Sequence, residues 1–365
     1  MTDARVTPLR PTTDRRAPAH AALAAALRRA GGFDDVAADM IEPLPVRGLQ
    51  HRLYRVKGLV REGARVLLRV PRQSHWGLLP ADNLAYQAEA FRRAALADVP
   101  PKLLAVLPPD ADLPWGALAV EEIAGTEPRL PEHLPAIADA LFALHMLPVP
   151  GWKAPLIEQP DTVVATLATI EQQARALDAA GLSTGALQQI EEERRWARAY
   201  AESVVGQREP RTLVLTDTQP GNFVVEANGV ARTVDLEKMI YGSPTIDLAH
   251  ATIEPSTRWD SRVDWVPEAG AVARFYARYL ARSPAAYAAA LRPWLKPARR
   301  LVFLRTITIF ARMAAADRRG DWSGLDLDPA FLEHVRAHIA RCHDAERLRA
   351  MRAEWLDPAL DIPIG

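Results

Sequence analysis

Apolar positions change period several times along the chain, and each change marks an element. Ala and Leu dominate from Ala17 to Ala30 and Gly31-Gly32 ends the run, which predicts a helix closed by a glycine cap. From Ile41 to Val70, short runs such as Leu53 to Val56 and Val66 to Val70 are separated by Gly58 and Glu62-Gly63, the pattern of strands joined by tight turns. Helical spacing returns from Ala81 to Ala97 and stops at Pro100-Pro101. Leu103 to Leu107 and Ala117 to Ile123 then read as apolar strands around a loop rich in Pro, Asp and Trp. Beyond Pro131 helices take over: Leu134, Ile137, Ala138, Leu141 and Leu144 recur at three- and four-residue steps, so one face is buried. Helices are predicted from Val163 to Ala180, from Ala186 to Val204, and over most of Thr245 to Leu356. A single β patch interrupts them, with Leu213 to Thr216 as a strand and Asn228-Gly229 turning a hairpin between Phe223 to Glu226 and Val230 to Val234. The expected fold is α+β and bilobal: a loose tail over 1–17, a small sheet-bearing lobe over 18–124, and a larger helical lobe over 125–365.

Composition narrows the function classes. With 365 residues, 49% hydrophobic and 25% charged, the chain can bury a core without metal or disulfide staples. Lys+Arg and Asp+Glu both number 45, so no basic field favours nucleic acid. Cys342 is the one cysteine, which excludes an intrachain disulfide and a cysteine zinc site and suits a reducing compartment. The first 17 residues hold no apolar signal region, and Arg305 and Arg312 break the run Leu301 to Ala316, so neither segment reads as a membrane anchor. The expectation is a cytoplasmic protein with no nucleic-acid or membrane partner. Oligomeric state is not legible.

The chemistry concentrates between Leu213 and Glu237. Asp217 ends an apolar strand, Asn222 follows five residues later at the start of the next, and Asp235 ends the second strand of the hairpin. Strand ends emerging at one sheet edge would bring the three side chains together. Asn222 and Asp235 offer the hard oxygens that Mg2+ prefers alongside phosphate oxygens, which leaves Asp217 as a base. Any one of these residues alone is an ordinary turn residue. The three in this order and strand context are not.

These residues resemble the aminoglycoside phosphotransferase and choline kinase-like branch of the protein-kinase-like fold. The family's catalytic loop reads H-G-D-x-x-x-x-N; here the run is Leu215-Thr216-Asp217, then Asn222. Val234-Asp-Leu-Glu237, Tyr241-Gly-Ser-Pro244 and Asp247-Leu-Ala249 resemble its metal segment, and Ala140-Leu-Phe-Ala-Leu-His145 resembles the helix before its catalytic lobe. The likeness runs from about Ile41 to Leu280. It implies a kinase that uses ATP or GTP with Mg2+, with Asp217 as catalytic base, Asn222 and Asp235 as metal ligands, and Asp247 as a buried brace of the catalytic loop.

The resemblance extends to the first lobe. It implies a strand-borne cation on the nucleotide's phosphates, held by a helix carboxylate; Arg69 takes the first role in place of the usual Lys, and Glu89 the second. An edge-strand Arg facing water is the competing reading of Arg69. Gly48 would open the loop over the phosphates, and Glu121 and Ile123 would frame the adenine at the hinge. Leu215 and Thr216 depart from the family's His and Gly. That departure keeps a second function open, a catalytically silent, pseudokinase-like nucleotide-binding or scaffold protein. The acceptor is a small hydroxyl compound: Glu254, Asp260 and Asp264 suit a cationic aminoglycoside or amino alcohol, while sugars and nucleosides stay open; Trp259, Trp265 and Trp322 could wall its pocket, with core packing the stronger reading of these rings.

Overall fold

The computed structural model describes residues 17–45, 48, 50–322 and 327–364. The expected tail therefore lies outside the described residues except for Ala17. Five strands, β1 (Ile41–Pro43), β2 (His51–Arg61), β3 (Ala64–Pro71), β4 (Leu103–Leu107) and β5 (Ala117–Glu121), form one antiparallel sheet in the order β1-β2-β3-β5-β4. Alternation decides what each face carries. Val66, Leu68 and Val70 of β3 join Ala117 and Ala119 of β5 under the helix α1 (His20–Ala30), whose Leu23 and Leu27 complete that core. Leu67 and Arg69 point to the other face with Leu118 and Val120, toward α2 (Pro80–Ala94). The central position of β3 keeps Arg69 away from any sheet edge.

The chain leaves the sheet through Gly125 and Thr126. Thr126 exchanges backbone bonds of 2.9 and 2.8 Å with Val225, and a Cβ on Gly125 would stand 2.4 Å from the Val225 carbonyl oxygen. That close approach requires glycine. Arg232 adds a second tie, donating from Nε to the Val99 carbonyl at 2.9 Å and from a terminal nitrogen to that of Pro100 at 3.0 Å.

The remainder is helical around four short strands. In chain order these are α3 (Leu134–His145), α4 (Thr162–Ala174), α5 (Thr184–Ser203), β6 (Thr212–Val214), β7 (Phe223–Val225), β8 (Ala231–Thr233), β9 (Ile240–Gly242), α6 (Thr245–His250), α7 (Glu254–Thr257), α8 (Ala269–Arg282), α9 (Ala285–Arg318), α10 (Pro329–Cys342) and α11 (Ala345–Leu356). The longest, α9, buries Leu301, Val302, Leu304, Ile307, Phe310 and Ala311 against α4, α6 and the last helices. Among the described residues no helix is long and apolar enough to cross a membrane.

One expectation needs correction. The β patch is not a single sheet with one edge: β6 pairs with β9, while β7 pairs with β8 in a separate ladder. After β8 the chain makes an excursion through Val234 to Met239 and returns beside β6. Asp217 and Asp235 therefore reach each other from two ladders, through loops rather than strand ends.

Candidate active site

The loop after β6 is braced from beneath by one carboxylate. Asp247 on α6 is fully buried (0% exposed) and accepts the backbone N–H of Leu215 and of Thr216, each at 2.7 Å. His145, at the end of α3, lies 3.1 Å from the same carboxylate and 2.9 Å from the Tyr279 hydroxyl. Thr218 donates to the Asp247 carbonyl at 2.6 Å. Buried anions need such donors, and the loop supplies them from its own backbone. Thr216 adopts φ 63°, the left-handed region in which a branched side chain is strained, at the position where Gly was expected. Its hydroxyl donates to the Lys238 carbonyl at 3.1 Å, which ties the loop to the excursion after β8.

That tie brings the acidic residues together. Asp217 accepts a hydrogen bond from Lys238, and the His250 ring lies 3.8 Å from its other oxygen. Burial alone would raise the Asp217 carboxyl; the Lys238 ammonium overrules it and holds the group well below the usual carboxylate range. Asn222 closes the loop by donating to the Asp217 carbonyl at 2.9 Å, and its own carbonyl accepts from the Val234 N–H at 2.9 Å, next to Asp235. Burial also penalises the Lys238 ammonium, but Asp217, Glu237 and Asp235 surround it and raise its pKa.

Arg69 reaches the same place from the sheet. It donates to Asp235 at 2.6 Å and to the Val234 carbonyl at 2.7 Å, while only 6% of its surface is exposed. Burial opposes ionisation of Asp235, and Arg69 restores it, keeping the carboxyl below its ordinary value. Glu237 is the opposite case: burial and the neighbouring Asp235 charge raise its pKa well above the carboxylate range. His51 stands 3.2 Å from Glu237 and 3.0 Å from Gln87, and burial together with Arg69 pushes its ring down to about 3.

This donor set fits a hard divalent cation. Asp235, Glu237 and His51 offer ligand atoms within 4.8 Å of one another, and one buried Glu237 oxygen has no hydrogen-bond partner. The Asn222 side-chain oxygen accepts from Gln219 at 2.9 Å, and an amide oxygen has a second lone pair to give. Two basic side chains, Lys238 and Arg69, already answer the carboxylates in the positions where a dication would act. Glu237, His51, Lys238 and Gln87 were not expected at the site. Lys238 and Glu237 directly follow the Val234-Asp-Leu segment, so proximity in sequence was their signal; His51 and Gln87 had none.

Other expected residues fall elsewhere. Glu89 does not hold Arg69: it binds Arg93 at 2.6 Å, and Arg93 continues to the Trp152 carbonyl at 3.1 Å. Two residues along an α-helix is about 200° of rotation, so Glu89 faces away from Gln87, which occupies the inward face and meets Arg69 through His51. Glu121 turns its carboxylate to the Lys102 N–H at 3.1 Å and to Arg232 at 3.6 Å. Ile123, where the chain leaves the sheet, has an N–H without a backbone partner among the described residues. Gly48 is exposed, and Val46, Arg47 and Leu49 lie outside the described residues, as do Ser323 to Asp326 of the Gly320 to Asp328 loop.

The acidic acceptor wall is also corrected, since each of its carboxylates is already neutralised. Glu254 binds Arg347 and Arg258, Asp264 binds Arg258, and Asp260 binds Arg262. Trp259 stacks on Phe310 at 5.5 Å, and Trp265 and Trp322 are buried at 8% and 6% exposure. These rings are core, because aromatic area pays most when removed from water.

Known proteins share this fold. A choline/ethanolamine kinase family protein from Mesorhizobium loti superposes with TM-score 0.57 at 19% identity, covering 93% of this chain and 95% of its own. Choline kinase from Cryptosporidium parvum Iowa II gives 0.56 at 13% identity, with 93% and 97% covered. A macrolide 2'-phosphotransferase from Brachybacterium faecium gives 0.51 at 15%, with 87% and 96% covered. No curated protein matches the sequence. The family model of the phosphotransferase enzymes matches residues 41–297, from the first strand of the sheet into α9, and so takes in both ladders and every acidic residue of the cleft. With its two-part kinase-like fold and this match over most of its length, the chain belongs to the phosphotransferase enzyme family.

Proposed function

We propose that the protein moves the γ-phosphoryl group of a nucleoside triphosphate, ATP or GTP, onto a hydroxyl of a small molecule. The observation that carries the reading is the meeting of Asp217 and Asp235 at Lys238, with Arg69 arriving from the sheet and Asn222 bonded to the Asp217 carbonyl. The triphosphate would lie between sheet and helices, its base against the hinge at Glu121 and Ile123. Asn222 and Asp235 would hold Mg2+, which supplies charge neutralisation on the phosphate oxygens. Arg69 has two anionic partners to choose from: Asp235, which it binds here, and the phosphates once nucleotide is bound. A planar guanidinium serves either by paired hydrogen bonds.

Asp217, kept ionised by Lys238, orients the acceptor hydroxyl. The acceptor oxygen forms a bond to the γ-phosphorus as the bond to the β,γ-bridging oxygen breaks; the hydroxyl proton passes to Asp217 and the nucleoside diphosphate departs. Such a loose transition state gains most from positioning and fixed charge, so a weakly basic carboxylate suffices. Asp247 acts through the loop backbone and is a positioning residue.

Nucleotide consumption and mass-spectrometric detection of phosphorylated acceptor test the reading. Asp217→Ala and Asp235→Ala should each lower turnover by about 10³-fold, the range for lost acid–base and electrostatic groups, while far-ultraviolet circular dichroism stays unchanged. Transfer by Asp217→Ala at the parent rate would remove the role assigned to it. One observation favours the silent alternative: Lys238 and Arg69 are paired with both key carboxylates. That alternative gains if magnesium nucleotide binds and no acceptor across alcohols, sugars and acids is phosphorylated.

A further inference from the structure

Two arginines of α9 lie on the side of the Asp217 loop away from the sheet, and among the described residues neither forms an ion pair. Arg305 and Arg312 lie seven residues apart on α9, two helical turns or about 10 Å along one face. They stay half-buried while their neighbours Leu304, Ile307, Thr308 and Ala311 are enclosed. Arg305 donates to the Thr216 carbonyl at 3.2 Å, which places its guanidinium directly under the loop that carries Asp217. Arg312 makes no hydrogen bond or ion pair among the described residues, and its Nε is buried without a partner.

From the opposite wall, the loop between β3 and α2 lowers His75 toward the same space. Burial pushes this ring down to about 3, with Lys238, Asp217, Arg312 and Arg305 as the charges acting on it, so it adds no positive charge of its own. The acids that act on Arg305 are Asp217 and Asp247; Asp260, whose oxygen would stand 2.6 Å from a Cβ on Gly221, is held by Arg262. A guanidinium kept out of bulk water with no counter-charge is costly. Asp217 and Asp247 act on Arg305, but no counter-charge acts on Arg312 among the described residues, and its burial makes sense where an anion arrives with the substrate.

Resting on the phosphotransferase reading, we propose that the acceptor is an anionic hydroxy compound whose carboxylate or phosphate group is gripped by Arg305 and Arg312 while its hydroxyl lies against Asp217. The nucleotide's own phosphates are served from the other wall, by Arg69 and the Asp235 side of the cleft. Guanidinium forks match both carboxylate and phosphate oxygens, so the geometry selects charge before it selects either group.

The experiment uses the full-length protein and a matched set of small hydroxyl compounds. Calorimetric titration with magnesium ADP comes first; absence of binding sinks the phosphotransferase reading and this inference with it. Glycerate, gluconate and glycerol phosphate are then titrated into the magnesium ADP complex and assayed as acceptors with magnesium ATP, alongside glycerol, 2-aminoethanol and kanamycin. The expected result is binding and transfer confined to the acids, with glycerate and glycerol phosphate separating carboxylate from phosphate preference. Arg312→Gln should raise the acceptor KM about tenfold, the worth of one charge-assisted hydrogen-bond pair, with kcat within about threefold and magnesium ADP affinity unchanged; Arg312→Lys should recover part of the loss. Binding of none of the acids overturns the anionic acceptor. Preferred transfer to the neutral or amino compounds does so too, and in that case phosphotransfer itself stands.

Discussion

The two walls of the cleft treat arginine in opposite ways. On the sheet side Arg69 is locked onto Asp235, so these two charges answer one another, with the His51 and Glu237 pair close behind. On the helix side Arg305 has a lone carbonyl as partner and Arg312 has none among the described residues. Both walls are buried, and burial raises the cost of an unanswered charge. The sheet wall avoids that cost by internal pairing and must give up pairs to receive phosphate. The helix wall carries the cost openly and is ready for an anion as it stands. A pre-paired site exchanges partners on binding; an unpaired one gains them.

Arg69→Met is the hardest blow to the first wall. It leaves Asp235 without its cation and the phosphates without their grip, so KM for magnesium ATP should rise about tenfold or more in steady-state kinetics, with little change in acceptor KM. An equal rise in both constants would erase the distinction between the walls. The loop that joins them is the next target. Thr216 holds Lys238 through its hydroxyl and Arg305 through its carbonyl, so Thr216→Val, which keeps the branched shape and drops the hydroxyl, should cost about 1 kcal/mol in urea unfolding. The smallest effect belongs to Glu89→Gln. Because Glu89 pairs with Arg93 on the α2 surface, its loss should change stability by about 0.5 kcal/mol or less and leave KM for magnesium ATP unaltered. A tenfold rise there would restore Glu89 as the partner of Arg69, against the observed geometry.

Much of the site was legible because it is local. Asp217, Thr218, Gln219 and Asn222 lie within one loop, and Asn228-Gly229 announces the hairpin that returns the chain toward Asp235. The same holds for α1, α3 and the central strands, whose apolar period survives in the folded chain. Helix phase was harder to read. Glu89 is the acidic residue in the middle of α2, yet the buried stripe runs through Asn83, Gln87 and Phe91, and a charge two positions from that stripe points away. Strand pairing was misjudged because three-residue strands carry no register information of their own. Their partners are chosen by the chain that connects them, here the excursion from Val234 to Met239.

Charge types and their order along the chain were set by the sequence alone: a loop with Asp and Asn at fixed spacing, an acidic segment after the hairpin, an apolar run from Val66 to Val70 interrupted by one arginine, and another from Leu301 to Ala316 interrupted by two. Which carboxylate each arginine meets was decided only by the tertiary structure. Pairing depends on distance and on burial, both of which arise when β3, α6 and α9 pack around one loop. That packing set Glu254, Asp260 and Asp264 on neighbouring arginines and left Arg305 and Arg312 without an ion pair among the described residues. The sign of the acceptor wall proposed above is thus a product of folding, since a charge acts on a ligand only to the extent that the protein has not already neutralised it.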